Sequence, residues 1–307
     1  MGKIAFLFAG QGAQYPGMGK ELYEAGGAAR AVFDLCESIR PGTLSQCFGG
    51  SREELALTVN TQPCLFAMDL ACASAAREAG IAAEGAAGFS LGEVAAAAFC
   101  GALSYEDAFR LVVRRGELMH ACAQENPGGM AAILRLGDGE VEALCASYPD
   151  VFPVNYNCPG QIAVAGGVEN LGKLCGAVQE RRGRVAPLAV SGAFHSPFMD
   201  GASRGLAHEL SRLEVSVPGI PLSANLTGRP YGEDGKRLLA RQVKCPVRWT
   251  ETIRNMVENG FDRFVEVGAG KTLCGLVKKI DGGVSVCHVE DKATLEEAAA
   301  QWGGDAC

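Results

Sequence analysis

The chain has 307 residues, of which 48% are hydrophobic and 21% charged, a balance typical of a soluble globular protein with one large domain or two ordinary ones. Its formal net charge of −7 argues against nucleic acid as a partner. None of the 13 cysteines form a C-x-x-C pair, which indicates reduced thiols rather than a disulfide framework or a zinc site and predicts a cytoplasmic protein. No segment is long and apolar enough to predict a membrane span.

The first predicted element is a short buried strand over residues 4–8, followed by a glycine-rich loop over 9–14. This loop does not match the nucleotide-binding motifs. Tyr15 stands where the dinucleotide fingerprint needs glycine, and Glu21 follows Lys20 where a P-loop needs Ser or Thr. Helical patterns then cover residues 28–39, 62–79 and 105–124.

The most informative motif is G-F-S-L-G at residues 88–92, between a short apolar run and an alanine-rich helix. A serine on a sharp strand-to-helix turn exposes its hydroxyl, and the first N–H groups of the helix can stabilise an oxyanion. Ser90 is therefore a candidate nucleophile, although Ser90 and Glu93 also fit a helix capping box. A second G-x-S-x-G, around Ser203, lies within a predicted helix over 197–213 and cannot form such a turn.

From residue 130 the pattern changes to β-α-β-β-α-β, the order of a ferredoxin-like unit. The predicted elements are strands over 130–136, 152–157, 161–166 and 185–189, and helices over 138–147 and 168–181. We predict a ferredoxin-like subdomain at residues 128–191. It is inserted into a larger α/β domain formed by 1–127 and 192–307. Further strands at 222–225, 263–267 and 284–288 alternate with helices, which indicates a hydrolase-like, mainly parallel sheet covered by helices.

A nucleophilic serine needs a base, and the chain has four histidines. His195 directly precedes the helix start at Ser196 and follows the inserted unit, where clefts between domains form. His120 and His288 end predicted elements, and His208 lies on the solvent side of a helix. His195 is therefore the candidate base, the alternative being a loop histidine without a role.

Arg115 is a second unusual residue, because it falls within the apolar stripe of the helix over 105–124. Arg110 and Arg114 fall on the polar side of the same helix. A guanidinium does not lose its proton, so an arginine that faces the core needs an anionic partner. That partner is either an internal carboxylate or the carboxylate of a substrate.

Seven motifs occur in order over nearly the full length and resemble those of the malonyl-CoA:acyl carrier protein transacylases of bacterial type II fatty acid synthesis. They are F-A-G-Q-G-A-Q at 8–14, T-Q-P at 61–63, G-x-S-L-G-E at 88–93, R-G at 115–116, N-Y-N-C-P-G-Q at 155–161, A-F-H at 193–195 and E-V-G at 266–268. The resemblance implies transfer of a malonyl group through a serine ester, by a Ser-His dyad without an acidic third member.

The resemblance also implies a role for each matching residue. Ser90 would be the nucleophile and His195 its base. The backbone N–H groups of Gln11 and Leu91 would form the oxyanion hole, and Arg115 would bind the malonyl carboxylate.

Other positions follow from the resemblance in the same way. Gln62, Asn155 and Asn157 would line or order the site. The family's P-V-x-W block supplies a backbone carbonyl that orients the histidine, which here suggests the carbonyl of Arg248. Phe89 replaces the histidine that usually precedes the nucleophile in this family, a difference that bears on acyl selectivity.

The implied partners are malonyl-CoA and acyl carrier protein, with no metal or nucleotide cofactor, no membrane contact and a monomeric state. A polyketide-type acyltransferase would share all of this chemistry. A serine esterase or thioesterase would share the serine motif, but it would be expected to have an acidic triad member and no buried arginine. A carrier-binding subunit without activity is the alternative that is not an enzyme.

Overall fold

A computed structural model describes residues 2–303, in which nine strands form two separate sheets. The strands are β1 (Lys3–Phe8), β2 (Gly85–Gly88), β3 (Gly129–Leu134), β4 (Val151–Cys158), β5 (Gln161–Gly166), β6 (Arg184–Pro187), β7 (Leu222–Ser223), β8 (Phe261–Val267) and β9 (Ser285–Val289).

Helices cover both sheets, and none of those within residues 2–303 is long and apolar enough to cross a bilayer. The helices are α1 (Lys20–Ala25), α2 (Gly27–Ile39), α3 (Thr43–Gly49), α4 (Arg52–Ala56), α5 (Thr58–Glu78), α6 (Leu91–Phe99), α7 (Tyr105–Glu125), α8 (Asp138–Ala146), α9 (Val168–Glu180), α10 (Asp200–Ser211), α11 (Gly235–Gln242), α12 (Trp249–Glu258), α13 (Thr272–Ile280) and α14 (Lys292–Trp302), with a short 3-10 turn at Pro197–Met199.

The larger sheet is parallel throughout, with the strand order β7-β2-β1-β8-β9. Its central strand β1 is buried at every position after Lys3, as expected for a strand with helices on both faces. Phe8 pairs with Gly88 on one side and with Val267 on the other. The loops after β1, β2 and β8 therefore leave the same edge of the sheet, the edge at which open α/β folds bind ligands.

The smaller sheet is antiparallel, with the order β4-β5-β3-β6, and α8 and α9 follow β3 and β5. Together with the larger sheet it confirms the predicted α/β fold with an added βαββαβ unit. The assignment of 128–191 to a separate domain, and of 1–127 and 192–307 to the larger one, stays a prediction. The first residue and the last four of that division lie outside the described part of the chain.

The smaller sheet is hydrogen-bonded to the segment before α12, near the carboxyl edge of the parallel strands. The backbone N–H of Tyr156 in β4 donates to the carbonyl of Val247 at 2.9 Å, and the N–H of Val247 donates to the carbonyl of Val154 at 2.8 Å. These bonds extend β4 toward the segment that precedes α12. They hold β4, which contains Asn155 and Asn157, beside the loop that leads into α12.

Several elements differ in length from their predictions, and two of these lie near the serine turn. Helix α5 begins at Thr58 rather than at 62, because Pro63, a common helix-start residue, lies inside the helix instead. Strand β7 ends at Ser223 rather than at Asn225, whose side chain bonds to the turn after β2.

Candidate active site

Ser90 lies on the turn between β2 and α6, in a backbone conformation (φ 53°) that is rare for a residue with a side chain. A Cβ atom on Gly88 would come within 2.0 Å of the Gly92 backbone, and one on Gly92 within 2.2 Å of the Phe8 carbonyl oxygen. Both glycines are therefore required for the turn to pack against β1. The serine is buried, and its hydroxyl makes no cap bond to α6, so the capping-box interpretation is wrong.

The Ser90 hydroxyl lies 2.7 Å from Nε2 of His195. The other ring nitrogen of His195, Nδ1, lies 2.9 Å from the carbonyl oxygen of Gln242 and 3.2 Å from that of Cys245. Since carbonyls only accept, Nδ1 carries the proton and Nε2 is free to accept the serine proton. The structure thus brings together the predicted nucleophile and the predicted base.

The prediction that the Arg248 carbonyl orients the histidine is wrong. That carbonyl accepts the backbone N–H of Thr252 in the first turn of α12, while Val247 pairs with β4. The orienting carbonyls come instead from the end of α11 and the loop after it, where helix geometry leaves carbonyls without partners. The Arg248 side chain is partly exposed and pairs with Glu251 at 3.5 Å.

Burial and, to a smaller extent, the nearby guanidinium of Arg115 lower the pKa of His195 to about 4. The imidazole is therefore neutral at pH 7, the state in which it can accept a proton.

We expect the rate of acyl-enzyme formation to stay level down to about pH 5 and to fall below that, because His195 loses its capacity as a base only when it is protonated. Quenched-flow measurement of the single-turnover rate between about pH 4 and pH 8 checks this. A low-pH limb centred near the ordinary histidine pKa of about 6.5 would contradict the assigned environment.

Arg115 is 2% exposed and lies on α7 beside the serine. Its Nη1 donates to Oε1 of Gln62 at 2.8 Å. Its Nη2 donates to Oε1 of Gln242 at 2.8 Å and to the Ser90 hydroxyl at 3.2 Å. The Nε atom has no partner within residues 2–303.

The sequence left two partners open for Arg115, an internal carboxylate or a substrate. No carboxylate of the described chain lies within ion-pair distance of this guanidinium, which rests on two neutral amides instead. Burial lowers its pKa to about 10, and Glu93 opposes that shift, so Arg115 remains protonated at neutral pH. The site thus holds a buried cation with free hydrogen-bonding capacity.

The glycine-rich loop after β1 lies directly against the serine turn, since a Cβ on Gly10 would come within 2.6 Å of the Phe89 carbonyl oxygen. Gln11 follows in that loop, and Leu91 is the first residue of α6. Neither backbone N–H has an acceptor among the hydrogen bonds of the described chain. Both donors are therefore available to a ligand, and their role as an oxyanion hole stays a prediction.

Two adjoining cavities open at this edge of the sheet. The inner one, of about 70 Å³, is lined by Ser90, His195, two amide side chains and apolar side chains; the outer one, of about 230 Å³, runs along the glycine-rich loop. Four residues line both cavities: Gln11, Phe89, Asn155 and Leu188.

Asn155 lines both cavities and Asn157 only the outer one; each has a buried side-chain oxygen without a partner in residues 2–303. Gln62 lines neither cavity but supports Arg115. The ring of Phe89 packs edge-on against Trp249, with 5.4 Å between ring centroids.

Sequence reasoning missed a buried polar network beneath the serine. Asn225 accepts the backbone N–H of Ser90 at 2.8 Å and donates to the Gly88 carbonyl at 2.6 Å, which holds the turn from below. Glu93 and Gln242 complete the network. A signal for it was present: Glu93 is a charged residue within an otherwise apolar, alanine-rich helix, and such a residue needs buried partners.

A buried serine hydroxyl in contact with a neutral histidine, at the edge of a parallel α/β sheet, is an arrangement suited to acyl transfer. The model of the acyl transferase domain matches residues 5–291. The chain belongs to the acyl transferase domain family and is an acyltransferase.

Its similarity to individual proteins extends over the full described fold. The malonyl CoA-acyl carrier protein transacylase of Bacillus subtilis strain 168 is 39% identical over 308 residues, which cover 97% of this chain and 96% of the relative. The solved transacylase of that name from Clostridium perfringens is 36% identical, with a TM-score of 0.94 and coverage of 97% of this chain and 96% of that one.

A third match is a malonyl-transacylase solved in complex with its type II polyketide acyl-carrier protein. It is 33% identical, with a TM-score of 0.93, and the match covers 97% of this chain and 99% of that one. These matches confirm the resemblance predicted from the seven motifs.

Proposed function

We propose that this protein transfers a malonyl group from coenzyme A to the phosphopantetheine thiol of an acyl carrier protein, through a malonyl ester on Ser90. One observation carries the proposal. The buried Ser90 hydroxyl contacts both the neutral imidazole of His195 and the guanidinium of Arg115, which has no ionic partner in the described chain. The names of the similar proteins agree with it.

In the first half-reaction, the Ser90 oxygen attacks the thioester carbon while its proton passes to Nε2 of His195. The negative charge on the carbonyl oxygen would be stabilised by the N–H groups of Gln11 and Leu91. The carbon–sulfur bond then breaks, and the sulfur of coenzyme A takes the proton from His195. A malonyl-serine ester remains.

In the second half-reaction, the carrier thiol gives its proton to His195 and its sulfur attacks the ester carbon. The bond to the Ser90 oxygen breaks, and that oxygen recovers the proton. The order of events is ping-pong, because coenzyme A leaves before the carrier reacts. The mechanism assigns no step to a metal or other cofactor.

The position of Arg115 supports malonyl as the acyl group. Its Nη2 lies 3.2 Å from the serine oxygen, a short reach that suits an acid whose two carboxyl carbons are separated by one methylene. Nε and Nη2 lie on one edge of the guanidinium. If Nη2 exchanges its hydrogen bond to the Ser90 hydroxyl for one to the substrate, the two atoms can donate two parallel hydrogen bonds to the free carboxylate. Gln62 and Gln242 would hold the group in place.

Intact-mass analysis after brief exposure to malonyl-CoA, followed by peptide mapping, tests the proposal. We expect a malonyl adduct on Ser90 that disappears when carrier protein with its phosphopantetheine arm is added. Acetyl-CoA and methylmalonyl-CoA in parallel measure selectivity. An adduct on another residue would contradict Ser90 as the nucleophile. An adduct that water removes without the carrier as fast as the carrier removes it would contradict the transferase and favour an esterase.

We further propose that the malonyl-loaded acyl carrier protein supplies fatty acid elongation in the cytoplasm, as the sequence predicts. The same assay addresses the polyketide alternative. Carriers of fatty acid and polyketide type compete for the malonyl-enzyme, and the faster acceptor identifies the pathway.

A further inference from the structure

The guanidinium of Arg115 donates to the amide oxygens of Gln62 and Gln242. The carboxyl group of Glu93 does not touch the guanidinium but contacts Gln242 on its far side. Glu93 on α6 is fully buried, and its Oε2 accepts the side-chain Nε2–H of Gln242 at 2.8 Å. The same amide presents Oε1 to Nη2 of Arg115 at 2.8 Å. Burial raises the pKa of Glu93 to about 7, and hydrogen bonds from Tyr231 and Gln242 oppose that shift. Gln242 thus bridges a buried carboxyl group and a buried cation.

The chemistry of the amide determines which way Gln242 points. Its Nε2 also donates to the backbone carbonyl of Ser90 at 2.5 Å. The Ser90 carbonyl and the ionised form of Glu93 can only accept, and the guanidinium of Arg115 can only donate, so the NH₂ end of the amide faces Ser90 and Glu93. The oxygen end must then face Arg115. Without Glu93, one of the two acceptors that fix this orientation is lost.

The arrangement fixes the position of the guanidinium and still leaves hydrogen-bond donors available to a ligand. A carboxylate placed directly on Arg115 would take the paired N–H groups that a second carboxylate needs. Neutral oxygens from Gln62 and Gln242 hold the guanidinium more weakly, and Nε stays without a partner in the described chain. The countercharge on Glu93 is near enough to favour the protonated arginine but does not compete for its hydrogen bonds.

We propose that Glu93, acting through the side-chain amide of Gln242, is a positioning residue that fixes Arg115 beside Ser90 and thereby sets the preference for acyl groups ending in a carboxylate. The inference rests on the proposed malonyl transfer. It adds a role to Gln242 beyond the backbone carbonyl that holds His195.

The test compares rates of acyl-enzyme formation with malonyl-CoA and with acetyl-CoA on the same preparation of each variant. The ratio of the two rates is independent of the fraction of folded enzyme, so a merely destabilised variant keeps the wild-type ratio. Gln242→Met removes the amide but retains the backbone carbonyl. Glu93→Asp keeps the carboxyl group but shortens the side chain by one methylene, which breaks the contact with Gln242.

We expect the malonyl-to-acetyl ratio to fall roughly tenfold or more in Gln242→Met, because a displaced guanidinium no longer meets the acyl carboxylate. Glu93→Asp should lower the ratio in the same direction. The matched control is Tyr231→Phe. The Tyr231 hydroxyl donates to the other oxygen of Glu93, Oε1, and within residues 2–303 it makes no hydrogen bond to Gln242 or Arg115. This variant should lose thermal stability while its ratio stays that of the wild type.

An unchanged malonyl-to-acetyl ratio in Gln242→Met overturns the inference. An equal fall of that ratio in Tyr231→Phe also overturns it, because the network would then have a structural role only. If Glu93→Asp yields no folded protein, Gln242→Met decides alone. The proposed function fails separately: a wild-type enzyme that takes up no malonyl on Ser90 overturns malonyl transfer, whereas a selective wild type with unaltered variants overturns only the positioning role.

Discussion

Replacing Ser90 with alanine is expected to abolish malonyl uptake, with a loss of roughly 10⁴-fold or more in the rate of transfer to the carrier. The reason is the covalent step: without the hydroxyl no ester forms, and His195 has no proton to accept. The protein should fold normally, because the hydroxyl contributes nothing to capping α6. Intact-mass analysis after exposure to malonyl-CoA measures the effect directly.

The chain contains its own control for this substitution. Ser203 occupies the centre of the second G-x-S-x-G and is also buried, but it lies on α10 rather than on a turn. Ser203→Ala should load malonyl at the wild-type rate. If Ser90→Ala still took up the label, or if Ser203→Ala lost it, the nucleophile would be misassigned.

Replacing Arg115 with alanine is expected to lower kcat/KM for malonyl-CoA by roughly 10²–10³-fold, of the order of a broken buried ion pair, while loading of acetyl-CoA falls much less. The lost charge matters only to the substrate that carries a carboxylate. Because Arg115 also lowers the pKa of His195, the low-pH limb of acetyl loading should move to higher pH in this variant. Kinetics with both thioesters across pH check the two effects together.

Arg114 supplies the matched comparison, since it is the adjacent residue on α7. It is half exposed and pairs with Glu117 and Glu209. Arg114→Ala should leave the ratio of malonyl to acetyl loading unaltered, since exposed pairs contribute little. Equal losses with both thioesters in Arg115→Ala would contradict a carboxylate clamp.

The main parts of the fold and site could be predicted because each has a local sequence signature. Strand β1 is an unbroken apolar run after Lys3, Ser90 lies in a glycine-flanked turn motif, and Arg115 interrupts an apolar stripe of helical period. Each of these patterns spans only a few residues, so it can be recognised in the sequence without knowledge of the tertiary structure.

The rest of the site could not be predicted because it depends on contacts between distant segments. Gln242 reaches the Ser90 carbonyl across 152 residues, and the carbonyl that orients His195 belongs to the main chain, which leaves no mark in the sequence. Glu93 did have a local pattern, S-x-x-E, but that pattern is shared with helix caps. Its true partners, Tyr231, Asn225 and Gln242, are more than 130 residues away.

The size of the inner cavity has a consequence for the products of chain elongation. A volume of about 70 Å³ beside Ser90 accommodates only a few heavy atoms, and the side chains of Met119, Met130 and Phe194 close it. A mature fatty acyl thioester is many methylenes too long for this space. Under the proposed function, long acyl chains would therefore be poor competitors for the malonyl position beside Ser90.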